Sequence, residues 1–315
     1  MKRHLSTVTA VAIAVAGIAG YARARDYRYT TIDYPGATYT YAEEINDFGQ
    51  IVGSYTGGDG VWHGFTLSGG VYTSFDHPDA TGDGTAVYGV NSVGQIVGCY
   101  KHADGTWRGF LRDGVNYSEL VRYEGSPDTT AVAINDVGQV VGYFLDDDYV
   151  IHGFLFDGTN YTTLDDTNDV TTYAWDINNS GVIVGGGWGG SDFVHGYIRD
   201  VDGTYTDFQL SGWPTDATGI NDLGQIAGNY GPAYEDRYGY VLSGGVNATP
   251  DRLVAPGAAV TEAWDINNRG QVVGAYWDYT SDTIHGFLAT PIPEPAALLL
   301  AAIGALAMTS TRRQR

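Results

Sequence analysis

INDFGQIVGSY, from Ile45 to Tyr55, has a near-copy in VNSVGQIVGCY, which begins at Val90. The same block returns as INDVGQVVG at Ile134, INNSGVIVG at Ile177, INDLGQIAG at Ile220 and INNRGQVVG at Ile266. Its asparagines, Asn46, Asn91, Asn135, Asn178, Asn221 and Asn267, are spaced 45, 44, 43, 43 and 46 residues apart. A second block follows each one: His63-Gly64-Phe65, Arg108-Gly109-Phe110, His152-Gly153-Phe154, His195-Gly196-Tyr197, Tyr238-Gly239-Tyr240 and His285-Gly286-Phe287. A fixed period in the forties, built from short apolar runs, points to a propeller or an array with one small sheet per repeat.

The chemistry of the block explains its recurrence. Asn-Asp-x-Gly between two apolar runs predicts a hairpin turn, in which Asn46 accepts local backbone hydrogen bonds and Gly49 takes positive φ. Ile45 before the turn and Ile51-Val52 after it are β-branched strand residues. Gly53 is expected to end the second strand, at a point where a side chain would crowd a neighbour. The segment between Gly53 and His63 varies freely among repeats, as a second hairpin loop would. After Gly-Phe comes an aromatic, Thr-rich strand such as NYTTLDD at Asn160, which makes four strands per repeat. The sixth repeat, HGFLATPIPEP, lacks that fourth strand, whereas YRYTTIDYPGA near the N-terminus matches GVYTSFDHPDA, a fourth strand from Gly70 to Ala80. The predicted fold is therefore an all-β, six-bladed β-propeller of four-stranded blades closed by the N-terminal strand. An open stack of β-units is the alternative, and closure removes the exposed edges that such a stack leaves.

Composition supports the fold class and excludes some partners. The 315 residues include 45 Gly, 24 Tyr and two Met, which favours tight turns and strands over helices. The formal charge is −21, and six of the sixteen basic residues lie in the two end segments, leaving Lys101 as the only lysine of the body. Such a surface repels nucleic acid and anionic lipid. The single cysteine, Cys99, cannot form an internal disulfide and reads as a small core residue.

Both ends read as addresses. Residues 1–24 carry Lys2, Arg3 and His4, an apolar run from Val8 to Ala19, and the small-x-small site Ala22-Arg23-Ala24. These are the parts of a secretory signal peptide cleaved near Arg25. The propeller is assigned to 25–290, and a sorting tail to 291–315. That tail holds Pro293, Glu294 and Pro295, then an apolar stretch from Ala296 to Met308, then Arg312, Arg313 and Arg315. The three parts in this order resemble the PEP-CTERM sorting signal of Gram-negative bacteria that make extracellular polysaccharide. The resemblance implies transient anchoring in the inner membrane by a C-terminal hydrophobic helix, processing by an exosortase, and delivery to the cell surface or matrix. The apolar stretch spans 13 residues, short of the roughly 17 to 25 that a membrane-crossing helix uses. The repeats resemble the extracellular HAF repeat, named for a His-Ala-Phe triplet, with Gly in place of Ala throughout and Arg108 and Tyr238 in place of His. That likeness implies an exported repeat protein and brings no catalytic residues with it.

Candidate chemistry is sparse. His63, His152, His195 and His285 hold equivalent places on different repeats, too far apart to share one metal, and read as partners in a hydrogen bond within each blade. Two residues before the asparagines stand Glu44, Gly89, Ala133, Asp176, Gly219 and Asp265. On innermost strands, Glu44, Asp176 and Asp265 would face the central channel, raise one another's pKa, and suit a cation such as Ca²⁺ held through water. DATGDG, with Asp79, Thr81 and Asp83, resembles a calcium loop but has Val90 at the twelfth position instead of Glu, so it reads as a turn. GGGWGGSDF from Gly185 reads as a flexible loop. Trp175 and Trp264, at matching places, read as sugar-stacking or core residues. HExxH, GxSxG and the phosphate-binding Gly-Lys-Ser/Thr are all absent. No catalytic residue or resident cofactor is assigned. The expected role is a non-enzymatic binding or scaffold module for extracellular polysaccharide. The alternatives are a glycan-cleaving hydrolase or lyase, for which Glu44, Asp176 and Asp265 are the candidates, and a purely structural coat protein.

Overall fold

Each Asn-x-x-Gly turn closes on itself before it contacts anything else. In a computed structural model of the chain, which describes residues 26–293 apart from 121–125, 127, 167, 190–193 and 234–235, Asn46 N–H donates to Gln50 O at 3.0 Å and Gly49 N–H to Asn46 O at 2.9 Å. Asn46 Oδ1 accepts from the backbone of Phe48 and Gln50 at 3.1 and 3.0 Å. Gly49 has φ of 81°, and Gly94, Gly138, Gly181, Gly224 and Gly270 repeat it. This left-handed conformation is open to glycine at no steric cost.

The turn lies between the first two strands of each repeat. The leading strand is β1 (Tyr27–Ile32). The first repeat supplies β2 (Tyr39–Ile45), β3 (Ile51–Thr56), β4 (Trp62–Ser68) and β5 (Val71–Phe75). The second supplies β6 (Thr85–Val90), β7 (Ile96–Lys101), β8 (Trp107–Asp113) and β9 (Asn116–Glu119), and the third β10 (Thr129–Ile134), β11 (Val140–Leu145), β12 (Ile151–Phe156) and β13 (Tyr161–Leu164). The fourth supplies β14 (Thr171–Ile177), β15 (Ile183–Trp188), β16 (Val194–Arg199) and β17 (Tyr205–Phe208). The fifth supplies β18 (Thr215–Ile220), β19 (Ile226–Tyr230), β20 (Tyr238–Leu242) and β21 (Asp251–Leu253). The sixth has only β22 (Val260–Ile266), β23 (Val272–Asp278) and β24 (Thr283–Pro291). The molecule is an all-β propeller of four-stranded antiparallel blades.

Four blades, from the second to the fifth repeat, are separate sheets. The expectation of six separate blades needs correcting here. The remaining eight strands form one sheet, in the order β22-β23-β24-β2-β3-β4-β5 with β1 also on β24. The physical reason is a parallel pairing of Tyr39 with Ile284, which joins β2 to β24. β1 supplies the strand that the sixth repeat lacks, running antiparallel to β24 from Tyr27 opposite Pro291 to Ile32 opposite Gly286. The first strand of every repeat touches that of the next, and β22 returns to β2. No helix among the described residues is long and apolar enough to cross a membrane. Ala22, Ala24, Glu294, Pro295 and the hydrophobic tail lie outside the described residues, and Pro293 is the last described position.

The core lies between blades. One cluster joins Val52 of β3 to Val87, Val90, Ile96, Tyr100 and Phe110 of the next repeat. Every first strand carries a β-bulge, with register shifts flanking Glu43, Tyr88, Val132, Trp175, Thr218 and Trp264. The bulge lets Ala42 and Ile45, three residues apart, share one core cluster. It also brings the opposite strand close. A Cβ on Gly53 would sit 1.9 Å from Tyr41 O, and one on Gly142 2.0 Å from Thr130 O. Gly53 therefore lies mid-strand, not at the strand's end as the sequence reading has it, and the neighbour it would crowd is a backbone carbonyl.

The six asparagines then join the repeats. Asn46 Nδ2 donates to Asn91 O, Asn91 to Asn135 O, Asn135 to Asn178 O, Asn178 to Asn221 O, Asn221 to Asn267 O, and Asn267 back to Asn46 O, over 2.9 to 3.3 Å. All six are buried. Asn135→Ala would leave the Gln139 N–H without its acceptor, at about 1–3 kcal/mol for a buried group, and would take one of two donors from the Asn178 carbonyl, which keeps the Gly181 N–H, at about 0.5–1.5 kcal/mol. Urea denaturation should show a loss of about 2–4 kcal/mol, against less than about 0.5 kcal/mol for the exposed Val137→Ala in the same turn. Equal stability of the two variants would contradict the ring.

Candidate functional site

The bulges determine what faces the channel. At a bulge two successive residues oppose one on the partner strand, so the bulged side chain is re-aimed. Glu43, Tyr88, Val132, Trp175, Thr218 and Trp264 are thereby turned into a central cavity of about 510 Å³. Tyr41, Trp62, Trp107, Asp216, Arg237 and Glu262 complete its wall. Four indoles and two phenols thus surround a group of carboxyls. Trp264 stacks on Tyr41 at 5.4 Å and 11°, and Trp175 on Tyr173 at 4.8 Å and 7°. Trp175 and Trp264 therefore belong to the cavity wall and not to the core. The Trp175 indole N–H is buried with no hydrogen-bond partner among the described residues.

Glu44, Asp176 and Asp265 come together as expected, at the end of this cavity nearest the asparagine ring. They also join neighbouring repeats. Asp265 Oδ2 accepts from Ile45 N–H at 2.8 Å and Asp176 Oδ2 from Ile220 N–H at 2.6 Å. Each has a second oxygen on its own repeat, at Ile266 and Ile177. Glycine on an adjoining repeat makes room for two of the three. A Cβ on Gly89 would meet Glu44 Oε2 at 2.7 Å, and one on Gly219 would meet Asp265 Cα at 2.7 Å. Beyond them the channel narrows to a polar funnel of about 70 Å³ lined by the asparagines.

Burial dominates the electrostatics of this layer. It raises Glu44 well above the usual range, with the charges of Asp265 and Asp176 adding to the effect. It does the same to Asp176, again helped by Asp265. Asp265 is pushed up to about 7 by burial, against the opposing hydrogen bonds from Ile45 and Ile266. Glu43 is raised by burial and by Glu262. Burial thus shifts the carboxyls of this layer toward their protonated form. Asp216 and Arg237 form an ion pair at the wall.

Three of the four histidines serve their own blades as expected, whereas His195 Nε2 is buried with no hydrogen-bond partner among the described residues, because Gln209 stands where the other three repeats have an aspartate. His63 reaches Asp76 at 3.0 Å and Asp59 at 3.3 Å, His152 reaches Asp165 at 2.9 Å and Asp146 at 3.2 Å, and His285 reaches Asp33 and Thr283 at 2.8 Å. Arg108, at the same place, pairs with Asp104 at 2.6 Å. Asp79 and Asp83 join no third metal-ligating side chain among the described residues, and Cys99 is a buried core residue whose thiol is pushed up to about 12 by burial. GGGW, Gly185 to Trp188, is strand and not loop. Sequence reasoning missed Glu43, Tyr88, Thr218, Trp62, Trp107 and Glu262. A signal for the bulged positions is present in the odd spacing between Ala42 and Ile45, which strict alternation cannot bury on one face.

The raised carboxyls have a consequence for stability. Between its ordinary 3.8 and its folded value of about 7, Asp265 keeps a proton that the unfolded chain has released. Its contribution is fully present at low pH and is lost as pH rises to about 7; Glu44 and Asp176 act in the same direction. The thermal midpoint should fall across that interval, and Asp265→Asn, which cannot ionise, should make the fall shallower. An unchanged slope in the variant would contradict the assignment.

No protein-family model matches the chain, and no curated protein matches it either. Among solved structures it is similar to TolB from Acinetobacter baumannii, at 9% identity and a TM-score of 0.56, over 79% of this chain and 65% of that one. It is similar to AofleA from Arthrobotrys oligospora, at 12% identity and 0.55, over 84% and 90%. A catalytically inactive virginiamycin B lyase from Staphylococcus aureus gives 10% identity and 0.50, over 85% and 100%. At these identities the likeness is one of fold alone.

Proposed function

We propose that the chain is an exported, six-bladed propeller that binds extracellular polysaccharide without cleaving it, taking a chain end or short branch into its central cavity. Counting the eight-stranded sheet as two blades gives six, the same as the number of asparagines in the ring. The observation that carries the binding reading is the cavity wall. Indole and phenol faces provide apolar platforms for the C–H faces of sugar rings. Protonated carboxyls and the unpartnered Trp175 N–H provide hydrogen-bonding groups for hydroxyls. A volume of about 510 Å³ suits a small ligand, and the narrowing at the asparagine end favours entry of a chain terminus over passage of a strand. The proposed route to the surface is the one that the PEP-CTERM-like tail implies, with exosortase as the processing partner and brief anchoring in the inner membrane.

One observation favours the glycan-cleaving alternative. A carboxyl held at about 7 in an aromatic cavity, as at Asp265, suits a general acid. A glycan array followed by affinity electrophoresis separates the readings. Binding predicts saturable retention that falls about tenfold, or about 1.4 kcal/mol, in Trp264→Ala, with no release of reducing ends. Release of reducing ends that Asp265→Asn abolishes would establish cleavage. Retention by no glycan would leave the coat-protein role.

A further inference from the structure

The fourth repeat carries Gly187 where every other repeat has an aromatic residue, Tyr55, Tyr100, Phe144, Tyr230 or Tyr276. In the first repeat, Tyr34 stacks on Tyr55 at 3.7 Å, and Tyr55 Oη meets Ser74 Oγ at 2.8 Å. In the second, His77 stacks on Tyr100 at 3.6 Å. The Tyr34 position is defined by its backbone N–H, which donates to a threonine hydroxyl of the following strand. His77, Asp166, Leu210 and Ala255 make the same bond. In the fourth repeat, then, Asp166 replaces Tyr34, Gly187 replaces Tyr55, and Asp207 replaces Ser74.

Without a ring at Gly187 there is a space that Asp169 enters. A Cβ on Gly187 would lie 1.6 Å from Asp169 Oδ2. The Asp169 side chain is fully buried, and both of its oxygens lack a hydrogen-bond partner among the described residues. Asp166 is 3% exposed and its Oδ2 is likewise unpartnered. His195 Nε2 lies 3.3 Å from Asp169 Oδ2 and 3.8 Å from Asp207 Oδ1, with no hydrogen bond to either. Its counterparts use Asp33, Asp76 and Asp165 at the end of the fourth strand; here Gln209 stands at that place and turns to Val194 O. Ligand atoms of Asp166, His195 and Asp207 lie within 4.8 Å of one another. Burying several carboxylates without a positive partner is strongly unfavourable.

We propose that Asp166, Asp169, His195 and Asp207 form a binding site for a divalent metal ion. An imidazole nitrogen among carboxylate oxygens suits a first-row ion, Zn²⁺ or Mn²⁺, better than Ca²⁺ or Mg²⁺. Ligands about 2.1 Å from a tetrahedral ion stand about 3.4 Å apart, close to the separations around His195.

Calorimetric titration of the chelator-treated full chain with zinc chloride tests the assignment, with manganese and calcium chloride as further arms. One equivalent of Zn²⁺ or Mn²⁺ should bind. Asp169→Asn and His195→Gln should weaken binding at least about 100-fold, since losing even an outer partner costs about 10–100-fold. Asp207→Asn, at the exposed rim, should weaken it at least about tenfold without touching the buried packing. His63→Gln, in the first repeat, should bind as the unaltered chain does. No binding by the unaltered chain, or affinity unchanged in Asp207→Asn and His195→Gln, would overturn the site. So would a preference for Ca²⁺ that is indifferent to His195.

Discussion

A side-chain amide that reaches from one repeat to the backbone of the next is the contact on which the molecule depends. Six such amides hand on from Asn46 round to Asn267 and back. Each asparagine also fixes its own turn through Oδ1, as Asn135 does for Gln139. One side chain thus couples local hairpin geometry to the placement of its neighbour. A linear stack would leave the last amide and the first carbonyl without each other, and both are buried, where an unmade hydrogen bond is expensive. The ring and the pairing of β1 with β24 are therefore two expressions of one constraint.

Room for a site follows from how the ring packs. Alanine or valine at Ala42, Val87, Ala131, Ala174, Ala217 and Ala263, and isoleucine or valine three residues later, must enter the same inter-blade core. The bulge that permits this pushes the residue between them into the channel, where it meets no packing requirement. Those freed positions hold the aromatic and acidic side chains of the cavity. Glu44, Asp176 and Asp265 do both jobs, lining the cavity while Asp176 and Asp265 accept amides from the next repeat. The outer end of the fourth repeat follows the same logic. Where the first two repeats stack an aromatic pair, the fourth places polar groups.

Much of this was legible before any coordinates. The Asn-x-x-Gly turn, the four strands per repeat and the match of YRYTTIDYPGA to a missing strand follow from hydrogen-bonding capacity and from the need to cover edges. The bulge was harder to see, because a shift of one residue is invisible to a reading that assumes alternation; hence Glu44 was placed in the channel while Glu43 and Tyr88 were missed. GGGW was misread as loop because glycine signals a turn only where φ must be positive. Gly185 instead makes way for the Tyr173 carbonyl, and Gly187 for Asp169. The eight-stranded sheet could not be foreseen, since one pairing between Tyr39 and Ile284 merges two blades. The departures at Asp166, Gly187 and Asp207 are visible only once equivalent places in different repeats have been matched through their hydrogen bonds.

Native-state hydrogen exchange tests closure most directly. The amides of Gln50, Gln95, Gln139, Val182, Gln225 and Gln271 all donate to the asparagine of their own turn. In a closed ring they should exchange together, at the rate set by global unfolding and in step with the amides of β1. Exchange at Gln50 and Gln271 that runs well ahead of the middle four would mean free ends, and would contradict the closed ring.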